Sequence, residues 1–343
     1  MLRLLLSFLM LLIAFAFCPS VCLAQSQDDP DDVIRVDSDV TNLPFTAIDK
    51  QKRFITTLQE SDIQVFEDGV PQKLFTFQRE TDRPLSLALL IDVSASEERT
   101  LPAEKAAARS FIETVIQSRK DQAAIIAFTG SAFLEQPLTR DVLGIYRALE
   151  RVEVALPAYL GSGQPLPGIA TGPGTKRAPR EGSTAIWDAI ALTASDVLAQ
   201  DRSQSQRRRA MILLTDGQDT SSVLEMTQAI DGALAAETVI YAIGIGDSKY
   251  EGVDRGALRT VAERTGGRAF FPKKDVDLKQ VFSEIERELR TQYLLAYSST
   301  NKKRDGAFRQ MRVEVVNSEL IKEKVTLRHR PGYFAKRTAS HDR

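Results

Sequence analysis

The sequence is poor in the residues that most often carry chemistry. Of its 343 residues only two are cysteine and two histidine. Cys18 and Cys22 both fall within the first 24 residues, so the remainder has neither a disulfide nor a thiol to draw on. His329 and His341 stand near the C-terminal end, which argues against a histidine-based triad or a His-rich zinc site. Charge is nearly balanced, at a net −1, and leaves no electrostatic footprint for nucleic acid or an anionic membrane surface. No nucleophile–base pair and no phosphate-binding glycine loop stands out. The one long apolar run, Leu4–Phe17, is broken only by Ser7 and is shorter than the roughly 18 residues a membrane span needs.

That run instead reads as the core of an export signal. Arg3 precedes it, and Cys22-Leu23-Ala24 offers small residues before the polar Gln25-Ser26-Gln27. Cleavage is expected after Ala24, with no membrane span afterwards and a destination that is secreted, periplasmic or in the cell envelope. Residues 25–32 follow as a solvated acidic linker containing Asp28-Asp29-Pro30-Asp31-Asp32.

The rest is ordinary globular sequence, 43% hydrophobic and 27% charged. Residues 33–82 alternate in the manner of antiparallel strands, as in Val33–Asp37, Ile63–Phe66 and Lys73–Phe77. Residues 83–290 change to strand–helix repeats. Strands are expected at Leu85–Ile91, Ala123–Phe128, Ala132–Leu138, Ala210–Leu214 and Val239–Ile245. Helices are expected at Pro102–Gln117, Asp141–Val152, Thr184–Leu198, Val223–Ala236, Arg255–Thr265 and Asp275–Arg290. This alternation predicts an α/β fold with a doubly wound, mostly parallel sheet. Residues 291–336 return to β patterning and are expected to join the N-terminal strands in one small antiparallel β domain, leaving 337–343 as a tail. His329, between Arg328 and Arg330, is expected at the surface. Pro157–Gly182, rich in Pro and Gly, reads as a long loop, and loops of that length are usually functional or disordered.

Chemistry concentrates where the apolar strand Leu85–Ile91 stops. Asp92, Ser94 and Ser96 follow at alternate positions, so their oxygens can converge. A second apolar strand ends in Thr215-Asp216-Gly217, and Gly182-Ser183-Thr184 opens a helix with a hydroxyl. Adjacent parallel strands of a doubly wound sheet end on one edge, where such folds place their ligands. An all-oxygen set suits a hard cation, Mg²⁺ first, with Mn²⁺ or Ca²⁺ as alternatives.

Asp-x-Ser-x-Ser, a later Gly-x-Thr and a Thr-Asp-Gly, in this order, resemble the metal-ion-dependent adhesion site of von Willebrand factor type A domains over Leu85–Leu289. The flanking Val65-Phe66-Glu67-Asp68-Gly69 and Arg330-Pro331-Gly332-Tyr333-Phe334 resemble secreted type A-related proteins of acidobacteria. The resemblance implies that Ser94, Ser96 and Thr184 bind the metal directly while Asp92 and Asp216 act through waters. An open coordination position would then take an Asp or Glu of a partner protein. The sequence departs from the commonest pattern at Ala95, where Gly is frequent, and at Glu97, where an apolar residue is frequent. Glu97 adds negative charge beside the metal loop. The expected function is that of an exported, divalent-cation-dependent binding or adhesion module. A structural envelope subunit with a purely stabilising metal is the alternative, and a metal-dependent hydrolase a more distant one.

Overall fold

The computed structural model describes residues 40–79, 83–154, 164–165, 183–200, 207–216, 218–245, 253–273 and 275–337. The export signal, the acidic linker, the strand expected at Val33–Asp37 and nearly all of the 157–182 loop therefore lie outside the described residues. No described helix is long and apolar enough to cross a membrane.

In chain order the strands are β1 (Val40–Ile48), β2 (Ile63–Glu67), β3 (Val70–Gln72), β4 (Leu74–Arg79), β5 (Leu85–Asp92), β6 (Gln122–Phe128), β7 (Ala132–Thr139), β8 (Gln164–Pro165), β9 (Arg208–Thr215), β10 (Thr238–Gly244), β11 (Ala269–Phe270), β12 (Tyr293–Ser298), β13 (Phe308–Val315), β14 (Thr326–His329) and β15 (Gly332–Phe334). The helices are α1 (Leu101–Val115), α2 (Val142–Arg151), α3 (Ile186–Leu192), α4 (Met226–Ala235), α5 (Arg255–Arg264), α6 (Asp275–Thr291) and the short α7 (Ser318–Lys322). A π-helical turn, Thr193–Leu198, continues α3.

Seven strands form one sheet in the order β11-β10-β9-β5-β6-β7-β8. The strands β10, β9, β5 and β6 pair in parallel, whereas β7 runs antiparallel to β6 and β8 antiparallel to β7. Every residue of β5 is buried, as a central strand covered on both faces requires. Its side chains divide by period two: Leu87, Leu89 and Ile91 pack with α1, α2 and α6, while Ala88 and Leu90 pack with α3, α4 and α5. The chain leaves β5 towards β6 and returns to β9 on the other side, so the switch point of the sheet falls between β5 and β9.

Two four-stranded antiparallel sheets, β14-β1-β12-β4 and β15-β13-β2-β3, share a second core built on Leu43, Phe45, Val65, Tyr293, Leu295, Tyr297 and Met311. Each sheet mixes strands from before and after the α/β segment: β1 and β4 pair with β12, and β2 pairs with β13. Pro44 lies within β1 opposite Leu294, and β14 joins the other edge only from Phe45 onward, so the missing N–H breaks no ladder.

The sandwich and the α/β layers meet through buried polar groups. Glu288, at the end of α6, takes Arg328 of β14 on both carboxylate oxygens, each at 3.2 Å, and lies near Arg268. Only Gln292 separates α6 from β12, and its side chain donates to the buried Tyr241 hydroxyl at 3.3 Å. Gly266 ends the α5 region with φ +90°, and a Cβ there would meet the Arg330 backbone nitrogen at 2.7 Å. Arg330 is itself buried and donates to the Asn42 carbonyl at 2.8 Å.

His329 departs from the expected surface position. Its Nδ1 lies 2.7 Å from the Arg330 carbonyl and its Nε2 accepts from the Val313 N–H at 3.3 Å. That pairing demands the neutral ring with the proton on Nδ1, and burial pushes its pKa below the usual 6.5.

Two outcomes follow for stability. Glu288→Ala strips a buried carboxylate from two guanidinium groups, and chemical denaturation should show a loss of roughly 3–5 kcal/mol. Because folding lowers the His329 pKa, the unfolded chain binds the extra proton first, so stability falls as pH drops through about 6.5. His329→Gln should flatten the slope of unfolding free energy between about pH 7 and pH 5.

Candidate metal centre

The register between β5 and β9 sets the geometry. Ile91 pairs with Leu214, which puts Asp92 level with Thr215. The Thr215 hydroxyl donates to Asp92 Oδ2 at 2.6 Å, and the Ser94 N–H donates to Asp92 Oδ1 at 2.9 Å. The Ser94 hydroxyl also bonds the Asp92 carboxylate. Both oxygens of a side chain with no exposed surface are thus held in place. Burial drives the Asp92 pKa up to about 6, helped by the charge of Asp216 and opposed by the Thr215 and Ser94 hydrogen bonds.

Beyond β5 the chain turns tightly. Val93 donates to the Phe128 carbonyl at the end of β6, and a 3₁₀ turn over Ala95–Glu97 follows, with the Glu97 N–H donating to the Ser94 carbonyl at 3.0 Å. The turn carries Glu97 inward, where it is 1% exposed. Its Oε2 accepts from the Thr100 hydroxyl at 2.5 Å, and its Oε1 has no hydrogen-bond partner. Burial first, then Glu104 and Asp92, push the Glu97 pKa up to about 9.

Asp216 follows β9, is buried, and accepts from the Gln218 N–H at 3.0 Å. One carboxylate oxygen each from Asp92, Glu97 and Asp216 lie within 4.8 Å of one another. Among the described residues no Lys or Arg forms an ion pair with any of the three. Three buried carboxylates without a cationic side chain fit a bound cation, because burial without a counter-charge is costly.

Thr184 reaches the same edge of the sheet by its main chain. Its neighbours are tied to the end of β6: Ala185 donates to the Thr129 carbonyl, and the Thr129 hydroxyl donates to the Ser183 carbonyl, both at 2.7 Å. On the other side the loop after β9 grips it. Thr220 and Ser221 donate to the Thr184 carbonyl at 2.9 and 3.1 Å, and the Thr184 N–H donates to the Thr220 hydroxyl at 2.8 Å. Helix α3 begins at Ile186, so Thr184 precedes the helix instead of opening it, and the loop after β9 supplies the cap. Asp219 Oδ1 accepts from the Ile186 N–H at 2.7 Å and from the Ser222 hydroxyl, and that hydroxyl accepts from the Trp187 N–H at 3.0 Å. Asp188 returns the grip, accepting from the Val223 and Leu224 N–H groups, both at 2.9 Å.

Of the five residues singled out from the sequence, Asp92, Ser94 and Asp216 come together, and Thr184 is clamped beside them by the Asp216 loop. The side chain of Ser96 lies outside the described residues. Sequence reasoning missed the approach of Glu97 to both aspartates, the bond from Thr215, and the capping of α3 from a loop more than 30 positions away. The strand pairing of Asp92 with Thr215 was readable only once β5 and β9 were known to be neighbours.

Asp219→Ala removes the acceptor that ties the Asp216 loop to the start of α3. It should destabilise the protein by about 1–3 kcal/mol in urea unfolding, with Asp219→Asn recovering part of the loss.

Two sequence models of the von Willebrand factor type A domain match the chain, over residues 87–218 and 175–284. No curated protein sequence matches it. Among solved structures, proximal thread matrix protein 1 from the mussel byssus is similar with a TM-score of 0.47 and 17% identity, over 65% of this chain and 51% of that one. BatB from Bacteroides thetaiotaomicron gives 0.41 and 17%, over 60% and 98%. A von Willebrand factor type A protein from Catenulispora acidiphila gives 0.48 and 16%, over 83% and 76%. The chain spans about half the length of the mussel protein.

Proposed function

Given that the chain carries a von Willebrand factor type A domain, we propose that it is a divalent-cation-dependent protein-interaction module whose binding face is the sheet edge at Asp92 and Asp216. The observation that carries this reading is the convergence of buried carboxylates at the β5–β9 switch point, with no Lys or Arg among the described residues paired to them. Asp92, Ser94, Ser96, Thr184 and Asp216 would hold the cation, which supplies an open coordination position for an anionic oxygen. The partner is then a protein that offers an Asp or Glu side chain, and recognition proceeds by coordination without bond-breaking.

The protein's own residues do the positioning. Thr215 and the Ser94 backbone orient Asp92, and the Asp188–Asp219–Ser222 network fixes the loop that carries Asp216 against Thr184. The export signal expected over residues 1–24 supports action outside the cytoplasm, in the periplasm, the cell envelope or beyond.

The test uses full-length protein stripped of metal. Titration with Mg²⁺ or Mn²⁺ should give saturable calorimetric binding and a rise in Tm that EDTA reverses. Asp92→Ala and Asp216→Ala should abolish both while leaving the far-UV spectrum unchanged. Capture of a partner from the native envelope should require the cation and fail with Asp216→Ala. Metal-independent capture by the folded variant would overturn the reading.

A further inference from the structure

Glu97 stands where the type A pattern usually has an apolar residue, yet it is among the most deeply buried acidic side chains of the chain, at 1% exposure. A buried glutamate needs a use for both oxygens. Thr100 satisfies Oε2, Oε1 has no hydrogen-bond donor, and one of the two oxygens lies with those of Asp92 and Asp216, all within 4.8 Å of one another. The 3₁₀ turn holds the side chain there through the Glu97 N–H to Ser94 carbonyl bond, and the Thr100 N–H donates in turn to the Glu97 carbonyl at 3.1 Å. Glu97 is therefore fixed at both main-chain and side-chain ends beside the two aspartates, with one buried carboxylate oxygen left without a donor.

We propose that Glu97 is itself a cation ligand, an internal carboxylate that occupies the coordination sphere in competition with the acidic group of a partner. This rests on the reading of the site as a cation centre. Three carboxylates around one divalent ion leave a net charge of −1, where two would leave it neutral. The added charge tightens the grip on the ion, since cation affinity at oxygen sites follows the number of charged ligands. It also repels an incoming carboxylate at close range in a buried setting, where screening by salt is weak. The site is built to retain its cation strongly and to take a partner's carboxylate weakly, so that binding needs either displacement of Glu97 or many weak contacts acting together.

A rival use of Glu97 is a carboxyl pair with Glu104, which is buried on the first turn of α1 and acts on Glu97 both by its charge and by a side-chain hydrogen bond. The two uses separate cleanly with the metal alone as probe. Full-length, metal-stripped wild type, Glu97→Gln and Glu104→Gln are titrated with Mn²⁺ and with Ca²⁺ by calorimetry, and Tm is recorded with EDTA and with excess cation. Supporting partners of metal ligands alone are commonly worth about 10–100-fold in affinity, and a direct ligand should be worth no less. Glu97→Gln should thus weaken cation binding by about tenfold or more and shrink the cation-induced rise in Tm. Glu104→Gln should leave cation affinity near the wild-type value. Equal cation affinity in wild type and Glu97→Gln overturns the proposal while the cation centre stands. Absence of cation binding in wild type overturns the cation centre itself, and the proposal with it. A Glu97→Gln protein that fails to fold in EDTA also counts against the proposal, because a group kept to hold the cation should not be needed for folding without it.

Discussion

Two adjacent parallel strands, β5 and β9, end level with each other, and the hydroxyl of Thr215 bonded to Asp92 is where that register becomes chemistry. A slip of one residue would turn Asp92 to the other face of the sheet and separate it from Thr215 and Asp216. The covered faces prevent such a slip. Leu87, Leu89 and Ile91 are claimed by one hydrophobic core and Ala88 and Leu90 by the other. The apolar packing of a fully buried strand thus fixes the position of a carboxylate to within a hydrogen bond, and the candidate centre inherits its precision from the two cores.

Around that fixed point the site is assembled by long-range polar ties. Thr129 after β6, Thr184 before α3, and Asp219, Thr220 and Ser222 after β9 hold one another's backbone groups. These segments have no regular structure to satisfy their N–H and C=O groups, so they satisfy each other. The side chains nearest the carboxylates are then carried on loops that behave as one clamped unit, which is how a rigid scaffold supports a binding site on irregular chain.

The strand–helix alternation was plain in the sequence because buried parallel strands are nearly continuous apolar runs: Ala123–Phe128 and Ala210–Leu214 are unbroken, and Leu85–Ile91 is broken only by Ser86. Asp92, Ser94 and Asp216 were visible for the same reason, as polar residues at the point where each run stops. What stayed hidden depends on spatial neighbours. Nothing local marks Glu97 as buried, since the pattern Ser-Glu-Glu-Arg reads as a solvated turn. Thr184 looked like a helix opener, yet the cap of α3 arrives from Asp219. His329 between two arginines looked solvent-facing, whereas the sandwich and the α/β layers enclose all three positions to differing degrees. The strand β1 escaped notice because Pro44 interrupts its alternation, and only its one-sided ladder shows why the proline is tolerated.

The sandwich has one more property, and it concerns the order in which the chain assembles. Val40 pairs with Ser298, and Ile63 with Val315, so strands made early wait for partners made more than two hundred residues later. Pairings so distant in sequence fold slowly on their own. Yet Arg79, the last residue of β4, is the cross-strand partner of Tyr293, the first of β12. The α/β segment between them begins and ends at one place. Once its parallel sheet has formed, the two halves of the sandwich are already delivered to each other, and most of the entropy of closing that long loop has been met by the segment's own core. The intervening segment is, in kinetic terms, the template on which the flanking strands meet, and damage to its core should therefore also reach the sandwich, as unpaired, aggregation-prone edges.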